Sequence, residues 1–539
     1  MELENISIPA TNRFASLYLE QKQPVNNFFH YDITASSVYE ERLKDIHKRH
    51  FARYELSRCI EEYMDNFPSS DEIIQSLHKL KQDESSVVIG GQQAGLLTGP
   101  LYTIHKVISI VHLAREQEEK LKKPVVPIFW IAGEDHDYLE INHVFAEGER
   151  TLKKISYSEG SIEKKMISDL DFQKEDMKSW IEKVFEHFGE TIHTKEIMAS
   201  IENALDHSKT FVDFFAYIIV DMFKKYGLLV IDSAYKPLRQ LETSFFKEII
   251  ENHQLITDSV HKQQTIITDF DFPKTIEISE YALNLFYYNG KERILLEYAP
   301  ERNGFMGKSG ELFLTKDELL ERLDRNPESF SNNVVTRPMM QEWLFPTLAF
   351  IAGPGEIAYW GELKLAFEKL GMCMPPIVPR LNLSLMDRAI ESDINELKLS
   401  TERVLRQGLE AEKKDYWDSI KDQHMDTIIN ASKEFLEEQY EQLTNYADKA
   451  LLPIIEKNLS FHLNQLNFLQ RKADQLTRLK HDTILEKYNR IERFLRPANS
   501  PQERMWNIYY FLNKYGKDFI DQLIKLNYQF DGTHKLVRI

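Results

Sequence analysis

Cysteine is nearly absent from this chain. Only Cys59 and Cys373 occur among 539 residues, too few for a disulfide framework or a cysteine-based zinc site. Glycine and proline are also sparse, with 20 and 19 residues, which excludes collagen-like and low-complexity designs and argues against an array of short strands. We therefore expect long elements in a protein from a reducing compartment.

Positive charge and long apolar runs are equally scarce. The 67 lysines and arginines are outnumbered by 85 aspartates and glutamates, giving a net charge of −18, whereas a protein that grips a phosphate backbone usually has a basic surface. The longest uncharged apolar stretch, 343–355, contains two prolines and falls short of the roughly 20 residues that span a bilayer. The acidic start at 1–4 lacks a signal-peptide pattern. We expect a cytoplasmic protein with neither nucleic acid nor membrane as a partner.

Apolar β-branched runs alternate with helical periodicity from residue 85 onward. Continuous apolar runs are typical of strands buried on both faces of a parallel sheet. They lie at 86–89, 124–132, 227–232, 348–352 and 376–379. Helical patterns at 101–120 and 211–226 complete strand–helix–strand units. The sequence predicts an α/β protein whose Rossmann-like, doubly wound core spans 85–385.

Two less regular stretches interrupt this core, at about 146–208 and 254–335. We interpret both as insertions, and Asn289-Gly290 in the second predicts a hairpin turn. The residues before the core, 1–84, show helical spacing after an irregular start and are expected to form a helical part of it.

The chain after the core predicts long helices rich in Lys, Glu, Gln and Leu. Two helices are expected at about 414–450 and 454–495, separated near Pro453. The first helix carries 9 acidic and 4 basic residues, a net charge of −5, and the second carries 5 acidic and 8 basic residues, a net charge of +3. Paired antiparallel, the two helices would attract each other. We predict a coiled-coil domain over 386–497 that forms a homodimer, then a helical tail over 498–539 that packs on the core. Two solvated helices of an ordinary bundle are the alternative.

The glycine-rich loop 90–99 is the first candidate site. It follows a predicted strand and opens a predicted helix, where backbone N–H groups and the helix dipole bind anions. Its glycine spacing fits neither the dinucleotide fingerprint nor a Walker loop. The residues expected to bind a nucleotide here are Gly91, Gly95, Gly99 and Lys106. Those expected to bind substrate are Gln92, Gln93, Thr98 and Tyr102. A tight strand–helix connection without a ligand is the alternative.

Four consecutive ionisable residues follow the second predicted strand: Glu134, Asp135, His136 and Asp137. They should lie at the carboxyl end of the sheet, where doubly wound folds bind ligands. Carboxylates beside an imidazole can poise it for proton transfer, so we predict a catalytic cluster with His136 as base, oriented by Asp135 or Asp137. Binding a divalent cation and capping the next helix are the alternatives, and no metal is predicted. Trp130, just before the cluster, is a candidate substrate contact.

Two arginines are candidates for binding substrate carboxylates. Arg337, with Gln341 one turn later, and Arg380 can each pair bidentately with such a group. Structural ion pairs are the alternative. Near the end of the chain, Arg504, Trp506 and Tyr510 could stack a nucleotide base and hold its phosphates, or could pack the helical tail onto the core.

The motifs are similar, in order and over essentially the whole chain, to those of one known family. They are Gly91-Gln92-Gln93, Gly99-Pro100-Leu101-Tyr102-Thr103, Glu134-Asp135-His136-Asp137, Gly353-Pro354-Gly355-Glu356 and Gln502-Glu503-Arg504. This pattern resembles the bacillithiol biosynthesis cysteine-adding enzyme family. The resemblance implies a ligase that joins cysteine to the amine of glucosaminyl malate, with a Rossmann-like core, connecting-peptide insertions and a coiled coil that forms a homodimer. It also implies a core like that of nucleotidylyl-transferring synthetases and hence ATP or ADP as cofactor.

The sequence departs from those synthetases at their activation loops. Their His-x-Gly-His and lysine-rich loops have no standard counterpart here, and His105 with Lys106 matches only loosely. Activation through an adenylate and through an acyl phosphate therefore both stay open. Two other functions remain as hypotheses: a metal-dependent hydrolase that uses 134–137, and a non-enzymatic coiled-coil scaffold.

Overall fold

The computed structural model describes residues 1–148, 151–157, 165–308, 310 and 312–539. The chain divides into two compact units, one formed by 1–386 with 500–539 and the other by 387–499. Each unit has its own set of elements, and they are described in turn.

A five-stranded parallel sheet forms the centre of the first unit. Its strands are β1 (Ser86–Gln92), β2 (Val125–Ile131), β3 (Leu229–Asp232), β4 (Thr347–Ala352) and β5 (Ile377–Pro379). They lie in the order β5-β4-β1-β2-β3. All residues of β2, β3, β4 and β5 are buried, as expected for a sheet covered on both faces. The predicted Rossmann-like fold is confirmed.

The strand order places a topological switch point between β1 and β4. The chain proceeds from β1 to β2 and β3 on one side and then crosses to β4 and β5 on the other. Doubly wound folds bind ligands at the carboxyl ends of the strands beside such a point. Helix α1 (Leu101–Leu121) follows β1, and helix α2 (Pro354–Gly361) follows β4.

Further helices of this unit surround the sheet. Before β1 they are Arg13–Leu19, Val38–Ile46, Arg53–Met64 and Asp71–Leu80. Between β2 and β4 they are Tyr138–Ile141, Lys174–Phe188, Thr194–Asp206, Phe211–Phe223, Lys236–Glu251, His253–Thr268, Lys316–Arg325 and Thr336–Leu344. Lys364–Lys369 follows α2. Gln502–Met505, Ile508–Tyr515 and Phe519–Ile524 complete the set.

The predicted insertions contain antiparallel structure. A hairpin joins His143–Glu147 to Leu152–Ser156. The second insertion forms a five-stranded sheet in the order Phe313–Thr315, Gly304–Gly307, Arg293–Ala299, Ala282–Tyr288 and Phe330–Asn332. Tyr288 pairs with Arg293 across the turn at Asn289-Gly290, where Gly290 has a φ of +86°. The predicted hairpin turn is confirmed.

Three short strands, two of them at the chain ends, were not predicted. Glu2–Ile6 pairs antiparallel with His534–Arg538, which pairs parallel with Leu383–Met386. His534–Arg538 departs from the expectation of a helical tail over 498–539, whereas Glu2–Ile6 falls within the irregular start expected for 1–84. Strands of four or five residues give little periodic signal, and these are joined to partners far away in sequence.

The second unit consists of helices. They are Arg388–Glu396, Thr401–Gln407, Glu410–Ile420, α3 (Gln423–Tyr446), α4 (Leu452–Lys480) and Asp482–Leu495. In α3 and α4, Gln470 donates to Asp426 at 2.8 Å, and Lys433 donates to Gln470 at 2.9 Å. Pro453 occupies the first turn of α4, where its missing N–H costs nothing. The predicted coiled coil is confirmed, although each predicted long helix is interrupted, at Lys421–Asp422 and at His481.

A search of the described part of the chain finds no helix with the length and apolar character of a membrane span.

Candidate functional site

A cavity of about 280 Å³ lies at the switch point of the parallel sheet. Its walls come from the carboxyl ends of β1, β2 and β4, from α1 and α2, and from the C-terminal segment. The lining residues are Gly91, Gln92, Gln93, Tyr102, Lys106, Ala132, Asp135, Arg337, Gly353, Pro354, Gly355, Glu356, Arg380 and Arg504. The sheet therefore collects polar side chains where the fold predicts a ligand site.

Lys106 links the two strands at the switch point. From α1, its Nζ donates to the Gly91 carbonyl oxygen at 2.7 Å and contacts the Glu356 carboxylate at 2.5 Å. Glu356 also accepts from the Gly353 N–H at 2.7 Å, which fixes it at the start of α2. Burial lowers the pKa of Lys106, although the charge of Glu356 opposes this shift. Lys106 thus holds together the ends of β1 and β4 while lining the cavity.

Asp135 is the acidic group on the opposite side, after β2. Gln93 Nε2 donates to its Oδ2 at 2.9 Å, and the His136 backbone N–H donates to its Oδ1 at 2.8 Å. Burial opposes ionisation of Asp135, but these hydrogen bonds and the charge of Arg293 bring its pKa below the usual value. The group is a carboxylate at neutral pH and can receive a cationic part of a ligand.

Two cavity arginines differ in what they contact. Arg380 donates both terminal nitrogens to Glu503, at 2.6 and 2.8 Å, and His105 Nδ1 lies 3.2 Å from the same carboxylate. Arg337 instead donates to the Tyr359 hydroxyl at 2.7 Å. Burial opposes its charge, but the neighbouring Tyr359 and Glu356 raise the pKa of Arg337. Arg337 therefore presents a positive charge that its hydrogen-bond partner does not neutralise.

Family models cover nearly the whole chain. One described as "Bacillithiol biosynthesis BshC, N-terminal Rossmann-like domain" matches residues 1–381. A second, "Bacillithiol biosynthesis BshC, C-terminal coiled-coil domain", matches residues 383–539. The chain belongs to the bacillithiol biosynthesis BshC family.

Curated BshC relatives match over their full length. Proteins of a Geobacillus species and of Anoxybacillus flavithermus are each 42% identical to this chain, and one of Bacillus cereus is 38% identical. Each alignment covers 100% of both chains, and each relative is named "Putative cysteine ligase BshC". The family resemblance deduced from the motifs is thereby confirmed.

About half of the site residues predicted from the sequence line this BshC-family cavity. They are Gly91, Gln92, Gln93, Tyr102, Lys106, Asp135, Arg337, Arg380 and Arg504. Arg380 lines it with its charge already matched by Glu503, so its predicted pairing with a substrate carboxylate is not supported. Arg504 also lines the cavity and is exposed.

The predicted catalytic cluster is split by the structure. Glu134 is buried and forms an ion pair with Arg239, which also binds Glu242 at 2.7 Å. Asp137 is exposed at the start of the short helix Tyr138–Ile141, and its side chain makes no capping hydrogen bond there. Neither lines the cavity, so their predicted catalytic roles are not supported. Burial decreases along the run, from buried Glu134 through half-buried Asp135 and His136 to exposed Asp137, because the chain turns towards the surface after β2.

The second half of the glycine-rich loop is covered by the C-terminal segment. The Leu101 N–H, at the start of α1, donates to the Trp506 carbonyl at 2.8 Å. Asn507 donates to the carbonyl oxygens of Leu97 and Gly99 at 2.8 and 2.7 Å. The loop at Gly95, Thr98 and Gly99 is thus used for packing, and its predicted ligand contacts are not supported.

Four other candidates lie in packed positions. Trp130 is buried with its ring edge-on to Phe345, and Gln341 is buried in helix Thr336–Leu344. The Trp506 and Tyr510 rings pack together with centroids 4.3 Å apart. None of the four lines the cavity, which favours the alternative that the tail packs on the core.

Arg293 is a neighbour of the site that the sequence did not indicate. It comes from the inserted antiparallel sheet, and its Nη1 lies 3.3 Å from His136 Nδ1 and 3.6 Å from Asp135 Oδ1. No local motif marks it, because its approach depends on how the insertion packs against the core. Glu356 and Glu503 did lie in recognised motifs, but their partners are distant in sequence.

The described residues contain no group of three His, Cys, Asp or Glu side chains placed to hold a metal ion. Glu134 is committed to Arg239, and Asp135 is bound by Gln93. The arrangement does not favour the hydrolase hypothesis. The cleft instead contains the cationic side chains of Arg337 and Arg504, the ion pair of Lys106 with Glu356, and the carboxylate of Asp135.

Proposed function

We propose that this BshC-family protein is a ligase that joins the carboxyl group of cysteine to the amine of glucosaminyl malate and so forms bacillithiol. The observation that carries the proposal is the switch-point cavity, which is lined by the cationic groups of Arg337 and Arg504, by Lys106 paired with Glu356, and by the carboxylate of Asp135. Such a cleft matches ligands that carry both carboxylates and an ammonium group. The names of the curated relatives point to the same reaction class.

Each cationic residue of the cavity is assigned an anionic group of the substrates. Arg337 and Arg504 bind the malyl carboxylates, and Lys106 with Gln92 binds the anionic part of the activated cysteine. A guanidinium is suited to carboxylates because its planar fork donates two parallel hydrogen bonds. Asp135, held by Gln93, receives the sugar ammonium.

Amide formation needs an activated carboxyl group and a neutral amine. ATP supplies the activation, and Lys106, which binds the anionic part of the activated cysteine, is the cavity residue that fits its phosphates. The amine nitrogen forms a bond to the cysteine carboxyl carbon while the bond from that carbon to its phosphorylated or adenylylated oxygen breaks. The ammonium proton must leave first or during this step, and Asp135 and His136 are the two candidates to accept it.

The coiled coil gives the protein a second role in assembly. Apolar side chains at seven-residue intervals are exposed on both arms, Ile428 and Phe435 on α3 and Ile454, Phe461 and Phe468 on α4. Heptad spacing of exposed apolar residues is typical of a helix that pairs with another. The proposed partner is a second copy of the chain, in the cytoplasm where the small-molecule substrates are made.

A reconstituted reaction tests the ligase proposal. Purified protein is incubated with cysteine, glucosaminyl malate and ATP, and products are identified by mass spectrometry. We expect bacillithiol together with AMP and diphosphate if an adenylate forms, or ADP and phosphate if an acyl phosphate forms. Asp135→Asn should lower the rate strongly.

A deletion strain supplies an independent check. Loss of the gene should remove bacillithiol and cause glucosaminyl malate to accumulate. Normal bacillithiol in that strain, with no product from the purified protein, would refute the proposal and reopen the scaffold hypothesis.

A further inference from the structure

Arg293 is locked in place by the inserted sheet. Its Nε donates to Ser331 Oγ at 3.1 Å and its Nη2 to the Asn332 carbonyl at 3.0 Å. Its guanidinium carbon lies 4.0 Å from the centre of the Phe286 ring. The hydrogen bonds use one edge of the guanidinium, and the Phe286 ring covers one face. The remaining nitrogen, Nη1, lies next to His136 and Asp135.

The contact with His136 determines which imidazole nitrogen carries the proton. A guanidinium has only N–H donors and stays protonated in proteins. The 3.3 Å contact from Arg293 Nη1 to His136 Nδ1 is therefore a hydrogen bond only if Nδ1 is unprotonated. In a neutral imidazole the proton then resides on Nε2.

The alternative assignment fits the geometry less well. A protonated Nδ1 would have to donate to Asp135 Oδ1, which is 3.7 Å away, too long for a hydrogen bond. It would also place an N–H against the N–H of Arg293. The Asp135 carboxylate is instead occupied by Gln93 at 2.9 Å and by the His136 backbone at 2.8 Å.

We propose that Arg293 is a positioning residue that holds His136 as the neutral Nε2–H tautomer, so that His136 acts as a hydrogen-bond donor and not as the base. Its one lone pair is used by Arg293, and taking up a proton would break that bond and set two cations side by side. Asp135, which lines the cavity, is then the acceptor of the ammonium proton. The assignment of the base rests on the proposed ligase function, whereas the tautomer does not.

Nitrogen NMR tests the tautomer directly. The 17 histidines are labelled with nitrogen-15, and the His136 signals are identified by their loss in His136→Gln. We expect Nε2 to carry the proton at pH 8. Arg293→Met should move His136 to a mixture of tautomers, whereas Arg293→Lys, which keeps a donor, should retain more of the Nε2–H form.

A matched control separates this effect from damage to the inserted sheet. Arg322 lies in the same insertion and donates to the Tyr287 hydroxyl at 3.0 Å. Arg322→Met should leave the His136 signals unchanged. An Nδ1–H or doubly protonated His136 in the wild type at pH 8 would overturn the proposal.

Activity of two His136 variants provides the second test. The amide nitrogen of glutamine can replace an Nε2–H donor but cannot act as a base. We expect His136→Gln to retain activity within about tenfold of the wild type and His136→Leu to lose far more. A loss of about 10²–10⁴-fold in His136→Gln, the range for removal of a general base, would make His136 the base. If the wild type forms no bacillithiol, the ligase proposal fails, and the NMR result still decides the tautomer.

Discussion

Arg337 and Arg380 show how a single contact decides what an arginine can do. The sequence made them equivalent candidates, since Arg337 precedes one predicted strand of the sheet and Arg380 follows another. Arg380 is paired with the Glu503 carboxylate, whereas Arg337 donates its hydrogen bond to the uncharged hydroxyl of Tyr359. A sequence cannot distinguish them, because Glu503 lies 123 residues away from Arg380.

The free charge of Arg337 predicts a defect in substrate binding. Arg337→Met should raise the KM for glucosaminyl malate by about tenfold to a hundredfold, because a hydrogen bond to a charged group contributes about 1.5–3 kcal/mol. Arg58→Met, which removes an exposed cation paired with Glu62, is the matched control and should leave the KM unchanged. Steady-state kinetics with both variants measure this, and an unaltered KM in Arg337→Met would place the carboxylate elsewhere.

The buried pair of Arg380 and Glu503 predicts a dependence of stability on pH. Burial opposes ionisation, yet the charge and hydrogen bonds of Arg380, with those of His105, hold the pKa of Glu503 well below its usual range. The unfolded chain takes up this proton near a pKa of about 4.3. The contribution is therefore complete above that pH and is lost as the pH falls below it.

Replacement of Glu503 should remove both the stability and its pH dependence. Glu503→Gln leaves Arg380 buried without its anion and should cost about 3–5 kcal/mol at pH 7. Urea unfolding at pH 7, 4 and 3 should show this difference narrowing towards acid. Glu62→Gln, which breaks the exposed pair with Arg58, should change the free energy of unfolding by less than about 1 kcal/mol. A constant difference at all three pH values would contradict the assignment.

The elements that could be predicted from the sequence carry their pattern within the element itself, whereas the elements that were missed depend on distant partners. All five strands of the central sheet were predicted because each is a continuous apolar run. The strands Glu2–Ile6 and His534–Arg538 were missed, since their partner is the opposite end of the chain. The part of the site at the end of β1, Gly91–Gln93, could likewise be predicted from the sequence. The position of Arg293 next to His136 could not, because it depends on how the insertion packs.

The turn after β2 predicts a sensitive glycine. A Cβ on Gly133 would collide with Ser168 Oγ and Asp232 Oδ1, two atoms whose residues are joined by a 2.6 Å hydrogen bond. Gly133→Ala should therefore destabilise the protein by about 1–3 kcal/mol, as overpacking does, and should displace Asp135 and lower activity. Gly355→Ala, whose Cβ meets nothing within 4 Å, is the control for stability. Thermal unfolding of both variants measures the difference, and equal stability would show that the turn can relax.

The register of the coiled coil brings its exposed apolar residues together. Hydrogen bonds from Tyr440 to Asn458 and from Gln470 to Asp426 set the antiparallel alignment of α3 and α4. This alignment brings Phe435 to about the level of Phe461 along the helix pair, and Ile428 to about the level of Phe468. The sequence predicted the helices and their attraction by charge, but which apolar side chains stay exposed follows only from the alignment.

This shared apolar face is where the proposed dimer should form. Phe435→Glu combined with Phe461→Glu puts two charges on each copy, and the double variant should sediment as a monomer at concentrations where the wild type is a dimer, because charges in an apolar interface lose their hydration. Ile192→Glu, at a side chain 92% exposed in the first unit, should leave the dimer intact. Sedimentation velocity measures the mass of all three proteins. If the double variant stays dimeric, the two copies associate through a different surface, and if the wild type is a monomer, these apolar side chains serve another purpose.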